Sequence, residues 1–148
     1  MFFAFLVYGT NMNEIIYSVE KSLDVSEFIE VLKNSKLAER RPIEDEQRIS
    51  SMCNNANLIV TARLNGQLVG VARSITDFVY CTYLSDLAVD IKHQKKGIGK
   101  HLIQETKKVT PRAKLILLSA PSAIDYYPKI GMTRHNHCYY IDDIKDLE

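Results

Sequence analysis

Two stretches of this 148-residue chain carry residue types and spacings that suit chemistry. The first is QKKGIGK, residues 94–100, where Gly97 and Gly99 lie one residue apart among Lys95, Lys96 and Lys100. It stands where a strand-like run, LSDLAV, gives way to a helical pattern. The first N–H groups of a helix have no intrahelical partner, and the macrodipole adds partial positive charge there. Glycine lets the backbone approach a ligand without an intervening Cβ. The pattern predicts a phosphate or pyrophosphate cradle over residues 95–100, and a plain helix cap with a solvated basic face is the alternative. The second feature is Asp86, a carboxylate inside the apolar LSDLAV run. Such a residue has a structural hydrogen bond to make, or it orients or deprotonates a substrate. Tyr83, Ser85 and Asp77 are secondary choices for that role.

The cradle does not fit the common nucleotide motifs. A dinucleotide GxGxxG fingerprint needs glycine at position 102, which is Leu102. A Walker A loop needs wider glycine spacing and Ser or Thr after the lysine, where His101 stands. Those motifs also belong to parallel βαβ sheets, and the strand entering this loop closes a meander.

The elements around these residues follow from periodicity. Residues 15–19 read as an edge strand. Asp24 and Glu27 form a capping-box-like pair before a helix with Val25, Phe28, Ile29, Leu32 and Leu37 on one face. Pro42 breaks that helix, and residues 44–54 form a second with Ile49 and Met52 facing inward. Residues 57–64 and 67–75 are strands joined by Asn65-Gly66, a type I′ hairpin signal. Residues 78–89 form a third strand. A helix over 97–109 carries Ile98, Leu102, Ile103 and Val109. AKLILL, residues 113–118, is a continuous apolar run that suits a strand buried on both faces. Residues 122–130 form a short helix ended by Gly131, and 132–141 a last strand. This order describes one α+β domain over residues 12–148.

Composition bounds the rest. About 46% of the chain is hydrophobic, which builds a core without disulfides or metal. With 19 basic and 18 acidic residues, a general nucleic-acid binder is not expected. The odd, scattered Cys53, Cys81 and Cys138 fit a reducing cytoplasm and no disulfide framework. MFFAFLVYGTN at the start is short for a signal peptide and too short for a membrane span. The expectation is that Met12 is the natural start, or that residues 1–11 are a tail or upstream extension. His135 and His137 alternate along the last strand, but no metal site is expected.

VDIKHQKKGIGKHLI after LSDLAV, joined by AIDYYPKIGM at residues 123–132, resembles the GCN5-related N-acetyltransferase (GNAT) superfamily. The first matches its Q-x-x-G-x-G loop and the second its A-x-x-F-Y-x-x-x-G-F segment. The order of elements is also similar over residues 14–141. The resemblance implies an α/β/α sandwich with a mainly antiparallel, twisted mixed sheet, helices on both faces, and a splayed fourth and fifth strand. It implies that acetyl-CoA is the co-substrate. Its pyrophosphate would lie on the backbones of Gln94, Lys95, Lys96, Gly97, Ile98, Gly99 and Lys100. Its pantetheine arm would pair along Leu87, Ala88 and Val89, with Ser122 and Tyr127 also at the cofactor. Tyr127, rather than Tyr126, would protonate the leaving thiolate, since a phenol of pKa about 10 is protonated at neutral pH. Pro128 departs from the family pattern and shortens or kinks that helix. Asp86 would orient or deprotonate the amine, directly or through water.

The function implied is acetyl transfer to a primary amine by direct attack in a ternary complex, with a small-molecule acceptor. The alternatives are a catalytically silent acyl-CoA-binding module and a protein lysine acetyltransferase. Arg40 and Arg41 either bind a substrate carboxylate or phosphate or belong to a solvated loop. Arg73, Ser74 and Thr76 could line the acceptor pocket, though adjacent strand positions alternate faces. His93 and His101 are either surface residues or ribose-phosphate contacts. No membrane partner is expected, and exposed strand edges make a homodimer one expected assembly.

Overall fold

A computed structural model describes residues 13–148. The expectations for residues 1–11 lie outside the described residues. Five strands form one sheet in the order β1-β2-β3-β4-β5. They are β1 (Ile15–Glu20), β2 (Leu58–Leu64), β3 (Gln67–Thr76), β4 (Cys81–Val89) and β5 (Lys114–Ile116). All neighbours are antiparallel except β4 and β5, which are parallel. The helix α3 (Ile98–Val109) makes the crossover between them.

Local sequence explains the joints. The Asp24 carboxylate accepts from the Glu27 N–H at 3.0 Å and starts α1 (Val25–Asn34). The expected reciprocal half of that capping box is not made. Glu27 instead accepts from Arg63 of β2 at 2.8 and 2.9 Å. Arg63 also donates to Glu20 of β1, so one guanidinium ties edge strand, second strand and helix together. Asn65 and Gly66 have φ of 49° and 82°, the two left-handed residues that a type I′ hairpin demands.

The sheet is covered on both faces. Phe28, Val31 and Leu32 of α1, with Ile49 and Cys53 of α2 (Glu46–Asn55), pack against Ile59, Val71 and Ala88. Fully burying side chains such as Phe28, Leu32 and Ile49 contributes about 1.5–3 kcal/mol each. On the opposite face α3 lies close over β3. A Cβ on Gly70 would meet Leu102 Cδ1 at 3.1 Å and Ile98 Cγ2 at 3.2 Å. On α3 the inner face continues through buried Thr106, and Val109 is exposed. Thr106 satisfies its hydroxyl on the Leu102 carbonyl at 2.8 Å.

Three of the expected strands differ from the structure. β4 begins at Cys81, because Asp77 accepts from the N–H groups of Val79, Tyr80 and Cys81 and folds residues 77–80 into a turn. β5 spans three residues and leaves Ile116 half exposed, so AKLILL is not a strand buried on both faces. Among the described residues no strand follows it. Residues 132–141 alternate without producing one wholly apolar face, so a strand there has little to bury.

Residues 118–148 form a second compact unit, and the residues up to Leu117 the first. Within the second unit, α4 (Tyr126–Lys129) is four residues long. Pro128 is tolerated in its first turn, where an N–H has no intrahelical partner. Gly131, with φ of 97°, follows its end, as expected. No helix among the described residues is long and apolar enough to cross a membrane.

Candidate active site

β4 pairs with β5 only through Cys81–Lys114, Thr82–Leu115 and Tyr83–Ile116. Residues 84–89 of β4 therefore have no strand partner on the β5 side among the described residues. The two strands part at Tyr83, and main chain is left open there for a ligand to pair with.

The parting coincides with a bulge. Ser74 lies opposite Leu84 and Arg73 opposite Asp86, so Ser85 is an extra residue in β4. The insertion swaps faces. Thr82 and Leu84 share the α3 face with Thr76 and Ser74, and Thr82 and Thr76 are hydrogen-bonded at 2.8 Å. Beyond the bulge, Asp86 and Ala88 share the α1/α2 face with Arg73 and Val71.

Two arginines hold the bulge. The buried Asp86 carboxylate accepts Nε–H of Arg41 on one oxygen and Nε–H of Arg73 on the other. Arg41 also donates to the Ser85 carbonyl at 2.8 Å, and Arg73 to Ser85 Oγ at 3.0 Å. A third bond ties Arg73 to the Met52 carbonyl of α2, while that of Arg41 goes to the carbonyl of its own neighbour Arg40. Sequence reading named Asp86, Arg41, Arg73 and Ser85 separately. The structure brings all four together.

The loop after β4 is also built from within. A second bulge, at Val69 of β3, turns its carbonyl to accept the Asp90 N–H at 2.8 Å. The Asp90 carboxylate caps Lys92 N–H at 2.8 Å, and Gln94 Nε2 donates to the Val89 carbonyl at 2.9 Å. Lys95 and Gly97 then take φ of 62° and 83°. Gly97 is the N-cap of α3 and gives it no side-chain cap. The first intrahelical bond is His101 N–H to the Gly97 carbonyl, so the N–H groups of Ile98, Gly99 and Lys100 are left to an outside acceptor. Ile98 is buried and anchors this end. The open amides, the absence of a Cβ at Gly97 and the three lysines fit a pyrophosphate.

Other candidates are placed as follows. His101 stacks on Tyr17 of β1, with ring centroids 3.9 Å apart, and meets Glu105 at 3.2 Å. Ser74 and Thr76 are buried on the α3 face, opposite to Arg73. In the second unit, Ser122 is exposed and Tyr127 half-buried, edge-on to Tyr126 at 5.2 Å. Burial, then the neighbouring Tyr126, raises the Tyr127 phenol above its ordinary value, so it carries its proton at neutral pH. His135 and His137 are adjacent in a non-strand segment, where His137 N–H donates to His135 Nδ1 at 3.1 Å. No cluster of three or more metal-ligating side chains occurs among the described residues.

Asp90 and Gly70 escaped the sequence reading. Each carried a signal: an acid at the junction of strand and basic loop, and a glycine in a strand interior, which marks a close approach.

Comparison with known proteins accords with this geometry. A family profile described as "Acetyltransferase (GNAT) domain" matches residues 20–147. No curated protein matches the sequence. Among solved structures, a probable acetyltransferase from methicillin-resistant Staphylococcus aureus is 17% identical, with a TM-score of 0.71 over 88% of this chain and 100% of that one. An aminoglycoside acetyltransferase from an uncultured soil metagenomic sample, in complex with sisomicin, is 21% identical, with a TM-score of 0.64 over 87% and 97%. An aminoglycoside N-acetyltransferase in complex with CoA is 12% identical, with a TM-score of 0.69 over 89% and 96%. These likenesses are of fold.

Proposed function

Because the chain belongs to the GNAT acetyltransferase family, we propose that it is an acetyl-CoA-dependent N-acetyltransferase acting on a small primary amine. The observation that carries this reading is the coincidence of an open β4 edge with an uncapped, lysine-flanked α3 N-terminus. One suits an extended pantetheine arm, the other a pyrophosphate.

In this reading the pyrophosphate sits on residues 94–100 and the arm runs along Leu87, Ala88 and Val89 toward the bulge. Gln94 already occupies the Val89 carbonyl, so pairing centres on Leu87 and Ala88. The amine attacks the thioester carbonyl within a ternary complex, where proximity replaces a bimolecular encounter. Main-chain N–H groups at the bulge stabilise the oxyanion. As the tetrahedral intermediate collapses, the C–S bond breaks and Tyr127 gives its proton to the thiolate. The proton of the attacking nitrogen passes through water and restores that of Tyr127. Of the two roles expected for Asp86, its double ion pair supports orienting the acceptor side over direct proton abstraction. The relatives that handle aminoglycosides support a small-molecule acceptor over a protein lysine. Three free thiols accord with a reducing cytoplasm.

The test is calorimetric titration with acetyl-CoA, with ADP and NAD in parallel, followed by release of CoA thiol with an amine panel. Selective acetyl-CoA binding with amine-dependent thiol release is expected. Folded protein that ignores acetyl-CoA would sink the reading. Binding without turnover would favour a silent acyl-CoA-binding module.

A further inference from the structure

We propose that the acceptor is an amine that also carries an anionic group, a carboxylate or a phosphate, and that Arg41 receives that group. This rests on the transferase reading and names the substrate class of the same site.

The argument starts from charge. Two guanidiniums share the single carboxylate of Asp86, so the cluster keeps one uncompensated positive charge. Arg73 is almost wholly buried, whereas the Arg41 side chain is 20% exposed, so the excess charge reaches solvent through Arg41. A guanidinium has five N–H donors, and the three bonds of Arg41 leave one N–H on each terminal nitrogen. That planar pair suits a carboxylate or phosphate.

Position matters equally. Arg41 grips the Ser85 carbonyl, at the point where β4 leaves β5 and the thioester is to be placed. An anion held there brings an amine a few bonds away to the mouth of the opening. One step along the same face, Ile75 and Tyr83 lie opposite each other and are exposed, offering an apolar rest for the substrate body. A polycation meets repulsion at this cluster, because Asp86 has no charge left to offer it. The inference thus separates this chain from its fold relative that holds sisomicin.

The test compares kcat/KM within matched pairs on the wild-type protein. The pairs are phenylalanine against phenethylamine, lysine against cadaverine, and glucosamine 6-phosphate against glucosamine, with sisomicin as the polycation. The anionic member of at least one pair is expected to be preferred about 10–100-fold. Arg41→Gln should bring that ratio close to one by raising KM for the anionic member. Arg41→Lys, which keeps the charge but not the planar donor pair, should retain only part of it. The pairs also separate carboxylate from phosphate. Equal or inverted preference in all pairs, or sisomicin as the best acceptor, overturns the inference while the transferase reading stands. Acetyl-CoA binding without turnover of any panel amine also overturns it. Absence of acetyl-CoA binding would instead remove the reading on which it rests. Should Arg41→Gln fail to fold, the wild-type ratios still decide.

Discussion

Tyr127 and Cys53 are the residues whose environments make the sharpest forecasts. Tyr127→Phe removes one hydroxyl from a phenol that burial keeps protonated. Turnover is expected to fall about 10²–10⁴-fold, the usual worth of a positioned acid. Acetyl-CoA affinity by calorimetry should stay within error. A parallel loss of affinity would make Tyr127 a packing residue. Cys53 is buried beneath the Arg73–Asp86 pair, and burial pushes its thiol up to about 11, against the opposing pull of Arg73. Cys81 and Cys138 are exposed. Titration with an aromatic disulfide should therefore count two fast thiols in native protein and a third only in denaturant.

At the level of elements, the junction between β4 and α3 sets the cradle. Gly97→Ala places a Cβ at φ of 83°, in open space but in a conformation that costs an L-residue about 1–2 kcal/mol. Acetyl-CoA binding should weaken more than stability, which thermal melts and calorimetry on one preparation would separate. Gly70→Val acts from the opposite side, driving side-chain atoms into Leu102 and Ile98. It should cost about 1–3 kcal/mol by overpacking and displace α3. Much of this junction was legible in the sequence. The QKKGIGK loop, the α3 face through Leu102 and Ile103, the Asn65-Gly66 hairpin and the Asp24 cap all rest on short-range rules. Asp86 was visible as an anomaly, but its partners were not, because Arg41 and Arg73 reach it across 45 and 13 residues of chain. Long-range pairing of this kind leaves no period in a sequence. The strand expected over 132–141 failed for the converse reason: β-rich composition was counted, and the absence of a uniform apolar face was not.

For the molecule as a whole, the edge of the sheet is held by charge as well as by its ladder. Hydrogen bonding to Arg63 holds the Glu20 carboxyl below its ordinary 4.5, with Thr61 adding a further bond. A carboxyl whose folded value is lowered contributes fully above its unfolded value and loses that contribution as pH falls through the folded one. Melting temperature should thus hold steady above about pH 5 and decline below it. Glu20→Gln should lower the neutral plateau and flatten the acid limb. An acid limb identical to wild type would mean that the Arg63 network adds nothing to folding. Nothing in the sequence warns of this network, since Glu20 and Arg63 look like ordinary surface charges and Glu27 like half of a capping box until the fold brings them together.

The extra residue at Ser85 works along β4 much as an inserted base works along a reading frame. Even-numbered residues of β4 face α3 before it and the α1/α2 side after it. Deleting Ser85 would leave Leu84 opposite Ser74 and Asp86 opposite Arg73, but it would flatten the bulge and remove both the carbonyl that Arg41 holds and the hydroxyl that Arg73 holds. Replacing it with alanine would lose one hydroxyl and keep the bulge and the carbonyl. The length of β4 at this point is therefore constrained more tightly than the identity of the residue that supplies it.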